Sequence, residues 1–332
     1  ISNHINAYTK KYKNYFKKYK KNITNSKIAD PLPRIIILEG IGFLSIGLNK
    51  KEMLISYDIF DAMKKVIINA NLVSKFKSIN DKNIFKMEYW PLERAKLNNQ
   101  NTKKFNGNVA VITGGAGKIG SAIANKFINE NIEVILLDKN FKNLDKNIKK
   151  KCLCIECDLT NNSQINKALN KTLKLFGGID ILIANSGAAF QGSMLNVKKD
   201  ILEKSLQVNF YSHHNIVQKS ANIMVSQGFG GSISLNLSKQ SINPGKDFGP
   251  YGIAKASSLF SMKQYALEFG KYNIRVNGIN ADRIKSGLLT DQFIKERAKA
   301  RNMSANKYLN NNLLQKQVTA EDVAEVFLSL IH

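Results

Sequence analysis

After residue 107 the chain falls into six short apolar runs separated by segments of helical length. The runs are Val109–Thr113, Ile132–Leu137, Leu153–Cys157, Ile179–Ala184, Ser232–Leu237 and Ile274–Ile279. They are nearly continuous in apolar character rather than alternating, as strands are when both faces of a parallel sheet are covered. Strands that alternate with helices in this way predict a doubly wound α/β domain, with helices on both sides of the sheet. No internal repeat is evident.

The first of these runs leads directly into Thr113-Gly-Gly-Ala-Gly-Lys-Ile-Gly120. Gly114, Gly117 and Gly120 are spaced G-x-x-G-x-x-G, and Lys118 and Ile119 open the next helix. Glycines let the backbone turn tightly and approach a pyrophosphate, while the helix N-terminus offers free N–H groups and the positive end of its dipole. The next strand ends in Asp138, 18 residues after Gly120. An acid there accepts hydrogen bonds from ribose hydroxyls and repels a 2′-phosphate, which favours NAD over NADP as the cofactor. Lys139 beside it weakens that preference. Further along, Tyr251 and Lys255 lie four residues apart on one helix face, Ser238 stands 13 residues before Tyr251, and Asn209 lies 29 residues before Ser238.

Taken together, this set resembles the short-chain dehydrogenase/reductase family over residues 106–332, which implies a Rossmann sheet and a nicotinamide cofactor. TGGAGKIG resembles the family's phosphate loop. Cys157-Asp158-Leu159 resembles its adenine-contacting segment, and Ala184-Asn185-Ser186-Gly187 is a variant of its N-N-A-G turn. Ser238, Tyr251 and Lys255 match its catalytic triad and Asn209 its fourth member. The resemblance implies that Tyr251 is the acid/base, with Lys255 lowering its pKa and binding the nicotinamide ribose. Ser238 would orient the substrate oxygen, and Asn209 would hold a water that links Lys255 to solvent. A phenol of pKa near 10 is a poor base at neutral pH, so it needs such a cation beside it.

The chain departs from the family pattern at Lys118, at Ala184 and at Asn280-Ala-Asp-Arg-Ile-Lys285, which lacks the usual Pro-Gly. The family's seventh strand is expected beyond His332, so the domain reads as truncated before its last strand. A narrower resemblance is to bifunctional rhamnulose-1-phosphate aldolase/short-chain (lactaldehyde-type) dehydrogenases. The dehydrogenase half is matched by the stretch from Ser238 to Tyr251 and by Asn312–Thr319. The end of the aldolase half is matched by Asp30-Pro-Leu-Pro-Arg34, Glu39-Gly-Ile-Gly42, Asn49–Glu52 and Glu88–Leu97. That resemblance implies NAD-dependent turnover of a small hydroxyaldehyde or alcohol in deoxy-sugar catabolism. A zinc aldolase needs clustered His ligands, and residues 1–97 contain only His4, so no metal site is expected.

The organisation read from the sequence is therefore a partial α+β segment at 1–97, a linker at 98–106 and the dinucleotide-binding domain at 107–332. Tyr8, Tyr12, Tyr15, Phe16 and Tyr19 recur at helical spacing and predict an amphipathic helix that docks its aromatic stripe on a core. The first residue is Ile rather than Met, as expected of a fragment or a processed product. Net charge is +25, which raises a nucleic-acid reading. However, residues 1–104 carry 21 basic and 8 acidic side chains and the remainder 29 and 17, so the excess is spread along the chain. Lys, Asn and Ile share A/T-rich codons, and such a drift explains the charge without a nucleic-acid partner. No apolar run reaches the roughly 20 residues of a membrane span. Cys152, Cys154 and Cys157 form no disulfide framework and read as buried thiols in a reducing, cytoplasmic setting. His213 and His214 point about 100° apart on a helix and cannot readily chelate together, so one is expected to be packed and the other exposed. The helix from Tyr251 to about Phe269 is apolar on more than one side, as a homo-oligomer requires. The competing readings are a non-catalytic NAD-sensing Rossmann domain and, behind it, a nucleic-acid-binding protein.

Overall fold

The computed structural model describes residues 2–22, 27–97, 103–287, 289–299 and 301–332. The chain divides into two compact units, Ile1–Asn106 and Gly107–His332. The linker-like stretch at 98–106 falls in part on residues 98–102, which lie outside the described residues.

The first unit begins with α1 (Ser2–Tyr19) and continues through the antiparallel hairpin β1 (Ile35–Leu38) and β2 (Gly42–Ser45). Then follow α2 (Lys50–Val73), α3 (Asp81–Glu88) and α4 (Pro91–Leu97). Asn49 starts α2, its side chain accepting the Glu52 N–H at 3.0 Å, and Asn80 caps α3 in the same way. The aromatic stripe of α1 docks as its spacing predicts. Phe16 packs on Phe85 and Tyr89, and Tyr15 meets Phe85 edge-on. The Tyr12 hydroxyl donates to Glu88 and lies 2.9 Å from the Tyr89 hydroxyl. Burial and the Glu88 carboxylate push the Tyr12 and Tyr15 phenols above their ordinary range.

The second unit is built on β3 (Val109–Thr113), β4 (Glu133–Asp138), β5 (Leu153–Glu156), β6 (Ile181–Ala184), β7 (Gly231–Asn236) and β8 (Ile274–Ile279). All pair in parallel, in the order β5-β4-β3-β6-β7-β8. The order reverses between β3 and β6, and a crevice opens beyond the carboxyl ends of the strands at such a reversal. Every residue of β3 and β6 is buried, in keeping with their unbroken apolar sequence. The helices in chain order are α5 (Lys118–Asn129), α6 (Lys146–Lys151), α7 (Asn162–Phe176), α8 (Lys199–Leu206) and α9 (Ser212–Gln227). After them come α10 (Gly249–Phe269), α11 (Asp291–Lys299), α12 (Ala305–Leu309) and α13 (Ala320–Leu330). A π-helical turn, Gln207–Tyr211, joins α8 to α9.

Most of the strands expected from sequence lie within two residues of their observed bounds. Ile179 falls outside β6 because its N–H and C=O both bond the side-chain amide of Gln227, at 2.8 and 2.9 Å. A capping box, Thr319–Asp322, starts α13. Helix α13 packs on α5, where Lys126 pairs with Glu325. Among the described residues, no helix is long and apolar enough to cross a membrane. Phe127 on α5 is completely buried. Phe127→Ala should lower the unfolding free energy of this unit by about 3–5 kcal/mol, measured by urea denaturation.

Candidate active site

The turn between β3 and α5 has no room for side chains at Gly114 and Gly120. Gly114 has φ +63°, and a Cβ there would lie 2.9 Å from the Ser186 Cα. A Cβ on Gly120 would come within 2.2 Å of the Gly114 carbonyl oxygen. Gly117 caps α5 without a side-chain hydrogen bond, so the first N–H groups of α5 face the crevice unshielded. Asp138, at the end of β4, accepts the Ala116 N–H at 2.9 Å and the Lys139 N–H at 2.7 Å. It therefore braces the turn from the neighbouring strand. Lys139 forms an ion pair with Asp158 at 2.9 Å. Burial alone would raise the Asp158 carboxyl, but the Thr160 N–H and hydroxyl and the Lys139 ammonium hold it below the usual carboxylate range.

These groups line a cavity of about 600 Å³. Its wall brings together Gly114, Gly117, Lys118, Ile119, Asp138, Asp158, Leu159, Asn185, Ser186 and Gly187. Gly120 stands behind that wall, where helix and turn meet. The cradle fits a dinucleotide, because it is bare backbone at the helix N-terminus with an acid at the end of the second strand.

A chain of hydrogen bonds crosses the carboxyl edge of the sheet from this turn. The Thr113 hydroxyl accepts the N–H groups of Asn185 and Ser186, at 2.9 and 3.1 Å. The Asn185 amide donates to the Thr113 and Gly114 carbonyls at 3.1 and 3.3 Å, and its oxygen accepts from the Asn236 amide at 2.8 Å. The Asn236 carbonyl in turn accepts the Lys255 ammonium at 2.8 Å. The turn at 184–187 is thus held by Asn185 and Ser186, although Ala184 stands at its first position. His213, buried against Ser186, lies 2.6 Å from the Ser186 carbonyl through Nε2. Burial, together with the Lys255 charge, lowers its pKa to about 3, so its ring is neutral. His214 is half-buried rather than exposed, with Nδ1 2.6 Å from the Tyr265 hydroxyl.

Asn209 lies in the π-helical turn, a device that re-aims residues at functional sites. Its side-chain oxygen accepts the Ala188 N–H at 3.0 Å and its amide donates to the Ala188 carbonyl at 2.9 Å. Asn209 therefore holds the segment that follows Gly187. Ser238 follows β7, lies close enough to Tyr251 for its hydroxyl to lower the phenol's pKa, and accepts the Gln240 N–H at 3.2 Å. The Lys255 ammonium lies 5.8 Å from the centre of the Tyr251 ring. Tyr251 differs from expectation in one respect. Burial raises its pKa and the Ser238 hydroxyl offsets this only in part, since the ammonium bonds the Asn236 carbonyl instead of the phenol. Tyr251 and Ser238 line a second, smaller cavity of about 160 Å³, which shares Ile119, Ala189, Asn236 and Ser286 with the first. Arg283 lines it, but Lys246 and Lys285 do not; Lys285 is paired with Asp291 at 2.7 Å. The thiols of Cys152 and Cys157 are pushed up, chiefly by burial, to about 12 and 11. Among the described residues, no cluster of His, Cys, Asp and Glu could hold a metal ion.

Residues 114–332 match the family model described as enoyl-(acyl carrier protein) reductase. The chain belongs to the short-chain dehydrogenase/reductase family. Residues 1–97 match the model for the second domain of class II aldolases. The uncharacterized oxidoreductase YuxG of Bacillus subtilis (strain 168) is 27% identical over 98% of this chain, which spans 49% of that protein's length. Short-chain dehydrogenase reductase 3a of Arabidopsis thaliana is 30% identical, with 53% of this chain and 70% of that protein aligned. The fold is shared with a short-chain type dehydrogenase/reductase from Mycobacterium marinum, at 24% identity and TM-score 0.62 over 68% of this chain and 89% of that one. It is also shared with NAD+-bound xylitol dehydrogenase, at 23% identity and TM-score 0.64 over 69% of this chain and 94% of that one. Members of this family use a nicotinamide cofactor.

The sequence reading gave no positioning role to Asn236, Thr113 or His213. A signal was present for Thr113, the polar residue that closes an otherwise apolar strand, whereas Asn236 follows Ser232 and Ser234 in β7. Lys255 is 3% exposed, and burial lowers its pKa to about 8. With an unfolded value near 10.4, the unfolded chain binds more protons between those values, so stability tied to Lys255 rises with pH there. Wild type should gain about 1–3 kcal/mol relative to Lys255→Met between pH 8 and 10.5, measured by paired urea denaturation.

Proposed function

We propose that this unit is an NAD-linked oxidoreductase acting on a small hydroxyaldehyde or alcohol of the lactaldehyde type, in deoxy-sugar catabolism. One observation carries the reading: the Ser238–Tyr251 pair faces a small cavity that adjoins a dinucleotide-sized one, with Lys255 buried behind it. When bound, the cofactor supplies the hydride acceptor or donor. The glycine turn and the N-terminus of α5 would take its pyrophosphate, and Asp138 and Asp158 its adenosine end. Asn185, Ser186 and Gly187 would line its path toward Lys255. The Ser238 hydroxyl orients the substrate oxygen and stabilises the charge that develops on it.

In oxidation, the O–H proton of the substrate passes to the Tyr251 phenolate as the carbon-bound hydrogen leaves with its electron pair. In reduction, the Tyr251 hydroxyl returns that proton to the carbonyl oxygen. A cation beside the phenol is needed for this, and Lys255 is close enough to serve once its ammonium swings from the Asn236 carbonyl. Asn209 would act by holding the 187–188 backbone against Lys255. The second cavity, at about 160 Å³, suits a substrate of few heavy atoms. The resemblance of residues 1–97 to an aldolase domain supports a place in sugar breakdown beside an aldol-cleavage reaction.

Tyr251→Phe removes only the hydroxyl. Turnover should fall ~10²–10⁴-fold with the NADH dissociation constant nearly unchanged, by steady-state kinetics and NADH fluorescence; a variant that keeps most of its turnover contradicts the assignment. Asp138→Ala should erase a preference for NAD over NADP, read as the ratio of kcat/KM for the two cofactors. An equal ratio in wild type contradicts the role given to Asp138. The outer face of α10 exposes Phe260 and Leu267, at 70% and 78%. A homo-oligomer buries such a face, and light scattering at micromolar concentration should give a mass above that of one chain.

A further inference from the structure

Only six of the 50 basic residues in this chain are arginine, yet three of the six line the small cavity beside Tyr251. They are Arg283, Arg297 and Arg301. Arginine differs from lysine in presenting a planar fork of donors that matches a carboxylate or phosphate. In a chain that uses lysine almost everywhere else, this concentration requires a local reason.

Arg297 supplies one. Its guanidinium lies 4.7 Å from the Phe248 ring centre and 5.8 Å from that of Phe293. Among the described residues, its buried Nε has no hydrogen-bond partner and its Nη2 reaches only the Lys246 carbonyl, at 3.5 Å. A charged donor removed from water and left without an acceptor is unfavourable unless a ligand provides one. Arg283 and Arg301 both stack on Tyr308, at 4.9 and 5.5 Å from the ring centre. Arg283 spends Nη1 on the Tyr308 and Asn311 carbonyls, and Arg301 spends Nη1 on the Arg297 carbonyl. Among the described residues, the remaining donors of these two forks have no hydrogen-bond partner, Arg283 Nε lying 3.7 Å from Asp282. Among the described residues lining the cavity, the one carboxylate is Asp282. Lys239 already engages it at 3.3 Å, and Arg283 Nε lies 3.7 Å from it. The wall therefore carries a clear excess of positive charge beside the hydroxyl pair Ser238–Tyr251.

We infer that this cavity is built for an anionic substrate, a small hydroxy or oxo compound bearing a carboxylate or phosphate at the end remote from the reacting carbon. The inference rests on the dehydrogenase reading of the same site and narrows it from neutral hydroxyaldehydes and alcohols to their anionic counterparts. Arg297 is the principal anion-binding group, and Arg283 and Arg301 close the subsite around it.

Two measurements decide it. The first is the melting temperature of the NADH-saturated protein in inorganic phosphate, in acetate and in chloride at equal ionic strength. Saturation keeps the pyrophosphate site from reporting. Phosphate or acetate should raise the melting temperature of wild type above that in chloride, with a smaller rise in Arg297→Gln and in the surface variant Arg301→Gln. The larger response tells phosphate from carboxylate. The second is kcat/KM with NAD for matched compounds: glycerol, glycerate and glycerol 3-phosphate, and propane-1,3-diol with 3-hydroxypropanoate. An anionic member should be preferred, and Arg297→Gln should reduce its kcat/KM roughly 10- to 150-fold while reducing that of its neutral partner far less. Arg297→Lys, which keeps the charge and loses the fork, should recover only part of the loss. Equal melting temperatures in all three salts, or equal losses for neutral and anionic members, overturn the anion subsite. NADH binding without turnover of any compound overturns the dehydrogenase reading instead, and the melting series then still decides the subsite.

Discussion

Everything in the crevice depends on the hydrogen-bonded chain that runs from Thr113 through Asn185 and Asn236 to Lys255. It joins the carboxyl ends of three adjacent strands, β3, β6 and β7, at the point where the strand order reverses. Backbone groups at strand ends have no ladder partners, and buried polar groups without partners are costly. Here each such group is used to hold the next functional element. The glycine turn is fixed against β6, β6 against β7, and β7 against the buried Lys255. The crevice floor is therefore one connected network.

A buried ammonium is a poor choice for stability alone, since removing a charge from water is expensive. Lys255 is 3% exposed, with one backbone carbonyl as its hydrogen-bond partner. The same burial that lowers its pKa to about 8 places a cation a short swing from Tyr251, where low dielectric strengthens its effect on the phenol. The phenol itself is held above its ordinary pKa by burial. The site thus holds two groups in unfavourable environments side by side, a conflict typical of functional positions, and in the proposed mechanism the ammonium relieves both by turning toward the phenolate.

The parallel sheet was legible in sequence because its central strands β3 and β6 are buried throughout and so are almost wholly apolar, although β7 and β8 carry Ser232, Ser234, Arg275 and Asn277. The glycine turn was legible because Gly114 and Gly120 occupy positions where a Cβ meets backbone. Ser238, Tyr251 and Lys255 were singled out by their spacing and the resemblance it carries; the fold puts Ser238 and Tyr251 on one cavity and the Lys255 ammonium 5.8 Å from the Tyr251 ring centre. Asn236 was not singled out, because its role lies in a contact with Asn185, 51 residues away, and pairing between strands leaves no mark on local spacing. Arg297 and Arg301 were missed for the same reason: α11 and the turn after it reach the Tyr251 cavity only through the tertiary fold. The exposure of His214 was misjudged because Tyr265, on another helix, covers it.

The network account is tested most directly by a double-mutant cycle on NADH affinity, pairing Asn185→Ala with Lys255→Met. The two residues share no hydrogen bond and communicate through Asn236. If the crevice floor is one unit, the dissociation constants should show a coupling of about 0.5–3 kcal/mol. Additive losses, within about 0.3–0.5 kcal/mol, would contradict it.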